Sequence, residues 1–122
     1  DRSPSRGLGD VYKRQKQYDQ AIEYLEGFSS DDDIMGAMAK GGIGDAFSQL
    51  NQNDDALDYY EKAISHSDNE FTAPRFLHKA GVVALELGEK SKALGYFERI
   101  KEEYPNSQEA NGVDALIGLA QN

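Results

Sequence analysis

A chain of 122 residues, 39% hydrophobic and 29% charged, is long enough for one domain with a modest core. It has no cysteine, which excludes disulfides, thiolate metal sites and cysteine nucleophiles. A net charge of -9 repels phosphate backbones and anionic membrane surfaces, and no apolar run approaches a bilayer span, so nucleic-acid binding and direct membrane insertion by this chain are set aside.

In chain order, the first element is ambiguous. Residues 1–15 hold Arg2, Arg6, Lys13 and Arg14 against Asp1 and Asp10, a balance of +2 that leaves -11 on the remainder. The run RSPSRGLGDVYKRQ is similar to a non-native leader seen in conceptual translations of shotgun-assembled DNA. On that reading the native first helix is missing and the parent protein extends upstream. Leu8, Gly9 and Tyr12 nevertheless fall in register with later segments. Apolar spacing predicts helices over about 5–15, 18–28, 34–50, 54–66, 73–87, 90–103 and 107–120. Ser30 or Asp31–Asp33 is a candidate cap for the third of these, Asp54 for the fourth, and Asn106 with Ser107 for the last. The closing helix carries an apolar face of Val113, Leu116, Ile117 and Leu119, read either as a cap on the preceding repeat or as a docking surface. Strand-type alternation is missing throughout.

Three stretches align with one another: Leu8 to Phe28, Ile43 to Ile64, and Ala80 to Ile100. Gly9, Gly44 and Gly81 recur, and each precedes Ala21, Ala56 or Ala93 by 12 residues. The alanines lie 35 and 37 residues apart, and the longer interval is placed in the loop around His66–Phe71. Ala56, Leu57, Tyr60 and Ile64 form one apolar stripe, and Ala93, Leu94, Phe97 and Ile100 form another. A helix pair cannot bury such a stripe alone, so neighbouring pairs must stack.

On these residues the chain resembles the tetratricopeptide repeat, whose period is about 34 residues and whose pattern runs L-G-x2-Y, A-x3-F, P. Leu8-Gly9 with Tyr12, Ile43-Gly44 with Phe47, and Ala80-Gly81 with Ala84 fill the first half. Ala21 with Leu25, Ala56 with Tyr60, and Ala93 with Phe97 fill the second, and Pro105 stands at the terminating proline. The first-helix tryptophan is absent, and Asn53 and Lys90 stand where Tyr18 keeps the usual tyrosine. The resemblance implies an all-α fold: an α-solenoid of about three helix-turn-helix repeats (about 5–30, 34–66 and 73–105) plus a C-terminal capping helix (about 107–120), all one domain over 1–122. The segment KALGYFERIKEEYPNSQEA is similar to repeats of bacterial cell-envelope tetratricopeptide proteins, in the manner of Bacteroidetes proteins related to the ancillary translocon subunit. That likeness implies a periplasmic location with a membrane anchor upstream in the parent.

Chemistry was sought in the remaining motifs. Gly41–Gly44 lacks the lysine and hydroxyl of a phosphate loop and follows no strand, and its glycines are expected to soften the helix. His66 and His78 have no ligand pair at helical spacing, and Asp31–Asp33 lacks the spacing of a calcium loop. No catalytic set, cofactor or metal is therefore expected, and the chain is read as a scaffold and not an enzyme. The first helix of each repeat lines the concave groove in the family. Carried over by position, the groove holds Met38, Asp45, Ser48 and Gln49, with Gly41, from the second repeat. Arg75, His78, Lys79, Val82, Leu85 and Glu86 come from the third. Arg75 and Lys79 share one helix face as a positive spot suited to a carboxylate. Gly42, Asp45 and Val82 stand at or near the asparagine positions of the family's carboxylate clamp, which argues against a chaperone-tail clamp. The expected function is binding of a peptide or helical segment of a protein partner in the groove. The alternative is a structural module that self-associates, as a homodimer, through the C-terminal helix.

Overall fold

The computed structural model describes residues 4–28, 32–66 and 69–122, with the side chains of residues 4–8 excepted. These residues form six α-helices and one short 3-10 turn, with no strand among them. The helices are α1 (Pro4–Glu26), α2 (Asp33–Gln49), α3 (Asn53–His66), α4 (Ala73–Glu86), α5 (Lys90–Glu103) and α6 (Val113–Gln121), with the 3-10 turn at Gln108–Ala110. Successive helices pack on one another from α1 to α6, as a stacked α-solenoid requires. Among the described residues no helix is long and apolar enough to cross a membrane.

Two helix pairs are built alike. In α2–α3 the turn places Asn51 at φ 60, and in α4–α5 Gly88 stands at φ 78. Both residue types tolerate the left-handed conformation that ends a helix. The hydrogen bonds match as well. Gln52 N donates to Phe47 O at 2.9 Å and Asn51 N to Ser48 O at 3.1 Å; Glu89 N donates to Ala84 O at 2.8 Å and Gly88 N to Leu85 O at 3.0 Å. These are the two bonds of a Schellman closure, which satisfies carbonyls that a helix end would otherwise leave unpaired.

The first predicted pair does not form. Instead of helices at 5–15 and 18–28, α1 runs unbroken from Pro4 to Glu26. Lys16 occupies the place held by Asn51 and Gly88 one and two repeats later. Lysine has no access to the left-handed turn at low cost, and Arg14, Gln15, Lys16 and Gln17 all favour helix. Gln15 Nε2 donates to Asp19 Oδ1 at 3.2 Å, a bond four residues apart that spans the would-be turn. Tyr12, a residue of the repeat signature, is 73% exposed, and Val11 beside it is 62% exposed.

The closing helix differs too. The predicted span 107–120 is split into Gln108–Ala110 and α6, because Gly112 at φ 80 interrupts it. Val113 and Ala120 are buried, and Leu116 and Ile117 are half-buried against the main core, so most of the expected apolar face is spent on packing. Only Leu119, of the four residues named for that face, is exposed. Asp32 caps α2, its Oδ1 accepting from Ile34 N at 2.9 Å and Met35 N at 2.8 Å, while Ser30 and Asp31 lie outside the described residues. Asp54 is not a cap: α3 already begins at Asn53, and Asp54 sits in the first turn, where its charge favours the helix dipole. Ser107 caps the 3-10 turn, its Oγ accepting from Ala110 N at 3.2 Å.

The main core joins α2 to α6 through Ala37, Leu57, Tyr60, Phe76, Leu77, Phe97, Ile100 and Val113, with Ala56, Ala80 and Ala93 among its small residues. A smaller cluster of Ile22, Ile43 and Ala46 attaches α1. Glycines seat the large rings. A Cβ at Gly44 would lie 2.7 Å from the Tyr60 ring, and one at Gly81 would collide with Phe97. Gly41 and Gly36 stand in the same relation to Phe76 and His66. The glycines of α2 thus trade helix propensity, about 0.5–1 kcal/mol each, for close ring packing.

Candidate protein-binding groove

Parallel packing of α2 and α4 sets up the concave face. Side chains meet in ascending order along both helices: Met38 with Arg75, Gly41 with Phe76, Asp45 with Lys79. Gly41 is buried beneath the Phe76 ring and belongs to this contact, not to the open surface. Met38 is 41% exposed at one end of the face. Arg75 is exposed beside it, its Nη1 3.8 Å from Met38 Sδ, and no carboxylate among the described residues engages it.

Lys79 is differently placed. Its Nζ donates to Asp45 Oδ1 at 2.8 Å and to Oδ2 at 2.9 Å. The Tyr60 hydroxyl donates to the same Oδ1 at 2.6 Å. Burial first, and then the bond to Asp45, hold the Tyr60 hydroxyl protonated well above the usual tyrosine range. The expected pair of positive charges therefore narrows to Arg75, because Asp45 neutralises Lys79 from one repeat away.

Ser48, His78, Lys79, Val82 and Glu86 line a cleft of about 260 Å³, closed at its base by Tyr60 and Val83. The His78 ring stands edge-on to Phe97, with centroids 6.3 Å apart. Glu86 Oε2 accepts from Asn53 Nδ2 at 3.2 Å, which ties the end of α4 to the start of α3. Of the ten expected groove residues five do not line this cleft: Met38, Asp45 and Arg75 belong to the α2–α4 contacts just described, and Leu85 and Gln49 stand apart from both. Leu85 is half-buried against the core, and Gln49 is exposed outside it. Tyr60 was not expected here. Its ring occupies the aromatic core position, and the one legible signal was tyrosine where the next repeat has Phe97.

Among the described residues, no cluster of three or more histidine, aspartate or glutamate side chains could hold a metal ion. What the face offers is a guanidinium without a carboxylate partner among the described residues, an exposed thioether and a cleft of mixed polarity, carried mainly by α2 and α4.

Family comparison bears on how such a face is used. The tetratricopeptide repeat model matches residues 6–71 and again 42–108. The chain belongs to the tetratricopeptide repeat family. The two matches overlap over 42–71 and together span α1 to the 3-10 turn, taking in Leu8, Gly9 and Tyr12. No curated protein sequence matches the chain. Tetratricopeptide repeats are a scaffold fold that generally mediates protein–protein interaction.

Proposed function

We infer that this tetratricopeptide protein binds a peptide or helical segment of a partner protein along the α2–α4 face. The observation that carries the reading is Arg75: an exposed cation with no carboxylate partner among the described residues, next to exposed Met38 and a few residues from the open cleft at Ser48 and Val82. An acidic residue beside an apolar one in the partner matches that arrangement. The likeness of KALGYFERIKEEYPNSQEA to envelope tetratricopeptide proteins supports a working place at the bacterial cell envelope. Affinity capture from envelope extract tests both points. The informative variant is Arg75→Glu with Met38→Asp, since both side chains are exposed and helicity should be unchanged. A partner retained by the native chain and lost by the variant supports the groove. Equal retention by both refutes it.

Self-association through α6 has one observation in its favour, the exposure of Leu119. Light scattering of Leu119→Glu decides it: a dimer that dissociates in the variant supports this reading, and a constant monomer mass in the native chain ends it.

A further inference from the structure

A second cleft lies on the opposite side of α2. At about 100° per residue, Gly36, Lys40 and Ile43 project roughly away from Met38, Asp45 and Ser48. This cleft has a volume of about 290 Å³, with α2 as its floor and the C-terminal ends of α1 and α3 as its walls. Leu25, Phe28, Ile43 and Tyr59 give it an apolar half. The other half is nitrogen-rich: Lys40 from α2, and Lys62 and His66 from α3. The same three side chains also line the adjoining hollow that opens past Ser65.

No carboxylate among the described residues engages the two lysines. Lys40 is half-buried, yet it has no ion pair among the described residues. Lys62 Nζ lies 4.2 Å from the centroid of the Tyr59 ring and meets no carboxylate among the described residues. His66 Nε2 is buried against Gly36 without a hydrogen-bond partner. The other half-buried lysine, Lys79, is paired with Asp45, so half-buried Lys40 left without a carboxylate among the described residues is informative. The acid lining this cleft, Glu26, pairs with neither, and Glu61 of the adjoining hollow is engaged by the Tyr96 hydroxyl.

We propose that this cleft binds one carboxylate carried on an apolar body, with the carboxylate between Lys40 and Lys62 and the body against Leu25, Ile43 and Tyr59. Charge decides for a monoanion. Two lysines against Glu26 leave a single positive charge, and the helix ends that form the walls contribute partial negative charge. A dianionic phosphate is poorly matched: no arginine fork lines the cleft, and Gly36 N, in the first turn of α2, is spent on Asp32 O at 2.8 Å. The volume, near the lower end of the roughly 300–1,000 Å³ common for ligand pockets, suits a body of one or two residues. The C-terminal apolar residue of a peptide and a free aliphatic acid share this chemistry.

Amide chemical-shift titration of the full chain tests the site, with octanoate, acetyl-glycyl-leucine and acetyl-glycyl-leucinamide as probes. Saturable shifts confined to residues 36–43 and 59–66 are expected for at least one of the two acids and not for the amide. Tighter binding of the leucine acid assigns the site to peptide ends; tighter binding of octanoate assigns it to free acids. Lys40→Glu with Lys62→Glu should weaken binding at least tenfold. The milder Lys40→Gln, which cannot disturb the fold by repulsion, should weaken it measurably. Arg75→Glu, on the other face, should leave it unchanged. Equal binding of acid and amide, equal binding by the double variant, or no saturable shift with either acid overturns the proposal.

Discussion

The α4–α5 pair and the first repeat segment, residues 8–28, carry the same repeat signature and fold differently. Gly81, Ala93 and Phe97 close a helical hairpin around one ring, whereas Gly9, Ala21 and Leu25 lie along a single helix. Glycine, alanine and apolar residue are all at their places in both. The turn residue is what changes: Gly88 in one, Lys16 in the other. A repeat pattern thus specifies which faces can pack, but one left-handed position specifies whether the chain reverses to bring them together.

The comparison can be broken most severely at the ring. Phe97→Ala should cost about 3–5 kcal/mol in urea unfolding, since it empties a fully buried site. Leu25→Ala, at the equivalent place on half-buried α1, should cost distinctly less, about 1–2 kcal/mol. Equal losses would mean that α1 is as tightly integrated as α5.

Glycine seats provide a change of sign. Gly81→Ala drives a methyl into Phe97 and should destabilise by about 1–3 kcal/mol. Gly9→Ala meets nothing within 4 Å and should stabilise α1 by about 0.5–1 kcal/mol through helix propensity alone. Thermal unfolding followed by circular dichroism measures both.

At the turn itself, Gly88→Ala should cost about 1 kcal/mol for a side chain held at φ 78. The reciprocal change, Lys16→Gly, asks whether the signal suffices. Because the chain has no cysteine, spin labels can be placed cleanly at Asp10→Cys and Glu26→Cys. Across an unbroken helix those positions are about 24 Å apart. Shortening of that distance in Lys16→Gly would show the hairpin forming once the turn is permitted.

The smallest effect separates Tyr60 from Phe97. The folded state holds the Tyr60 proton more tightly than the unfolded chain does, owing to burial and then Asp45. The associated stability is complete below pH about 10, the unfolded value, and is lost as pH rises further. Tyr96, raised by burial and by its bond to Glu61, acts in the same direction. Tyr60→Phe should cost about 1 kcal/mol at neutral pH and lessen the alkaline loss. An unfolding free energy with the same pH slope in native and variant above pH 10 would remove Tyr60 from this account.

Much of the architecture was legible because helical periodicity is local. The stripes Ala56-Leu57-Tyr60-Ile64 and Ala93-Leu94-Phe97-Ile100 required only spacing, and the boundaries of α2 to α5 fell within a residue of expectation. The fusion of α1 was missed because Tyr18 and Ala21 match the repeat even though Lys16 does not. The division of the last helix turned on Gly112, a left-handed position inside an otherwise helical pattern. At the groove, the face was legible from repeat register, but the capture of Lys79 by Asp45 joins residues 34 apart and depends on how two helices align. The convex cleft was illegible for the same reason: Lys40, Lys62 and His66 converge only once α3 folds back on α2.

Gly41 has a consequence for the shape of a longer array. Phe76 lies against its bare Cα beneath the groove, where one repeat meets the next. The missing methyl lets α2 and α4 stand closer there, so a methyl added at Gly41 should wedge the wall between repeats open and change how sharply the solenoid bends. Changing that one position would alter the curvature of the binding surface while leaving every residue that faces a ligand untouched.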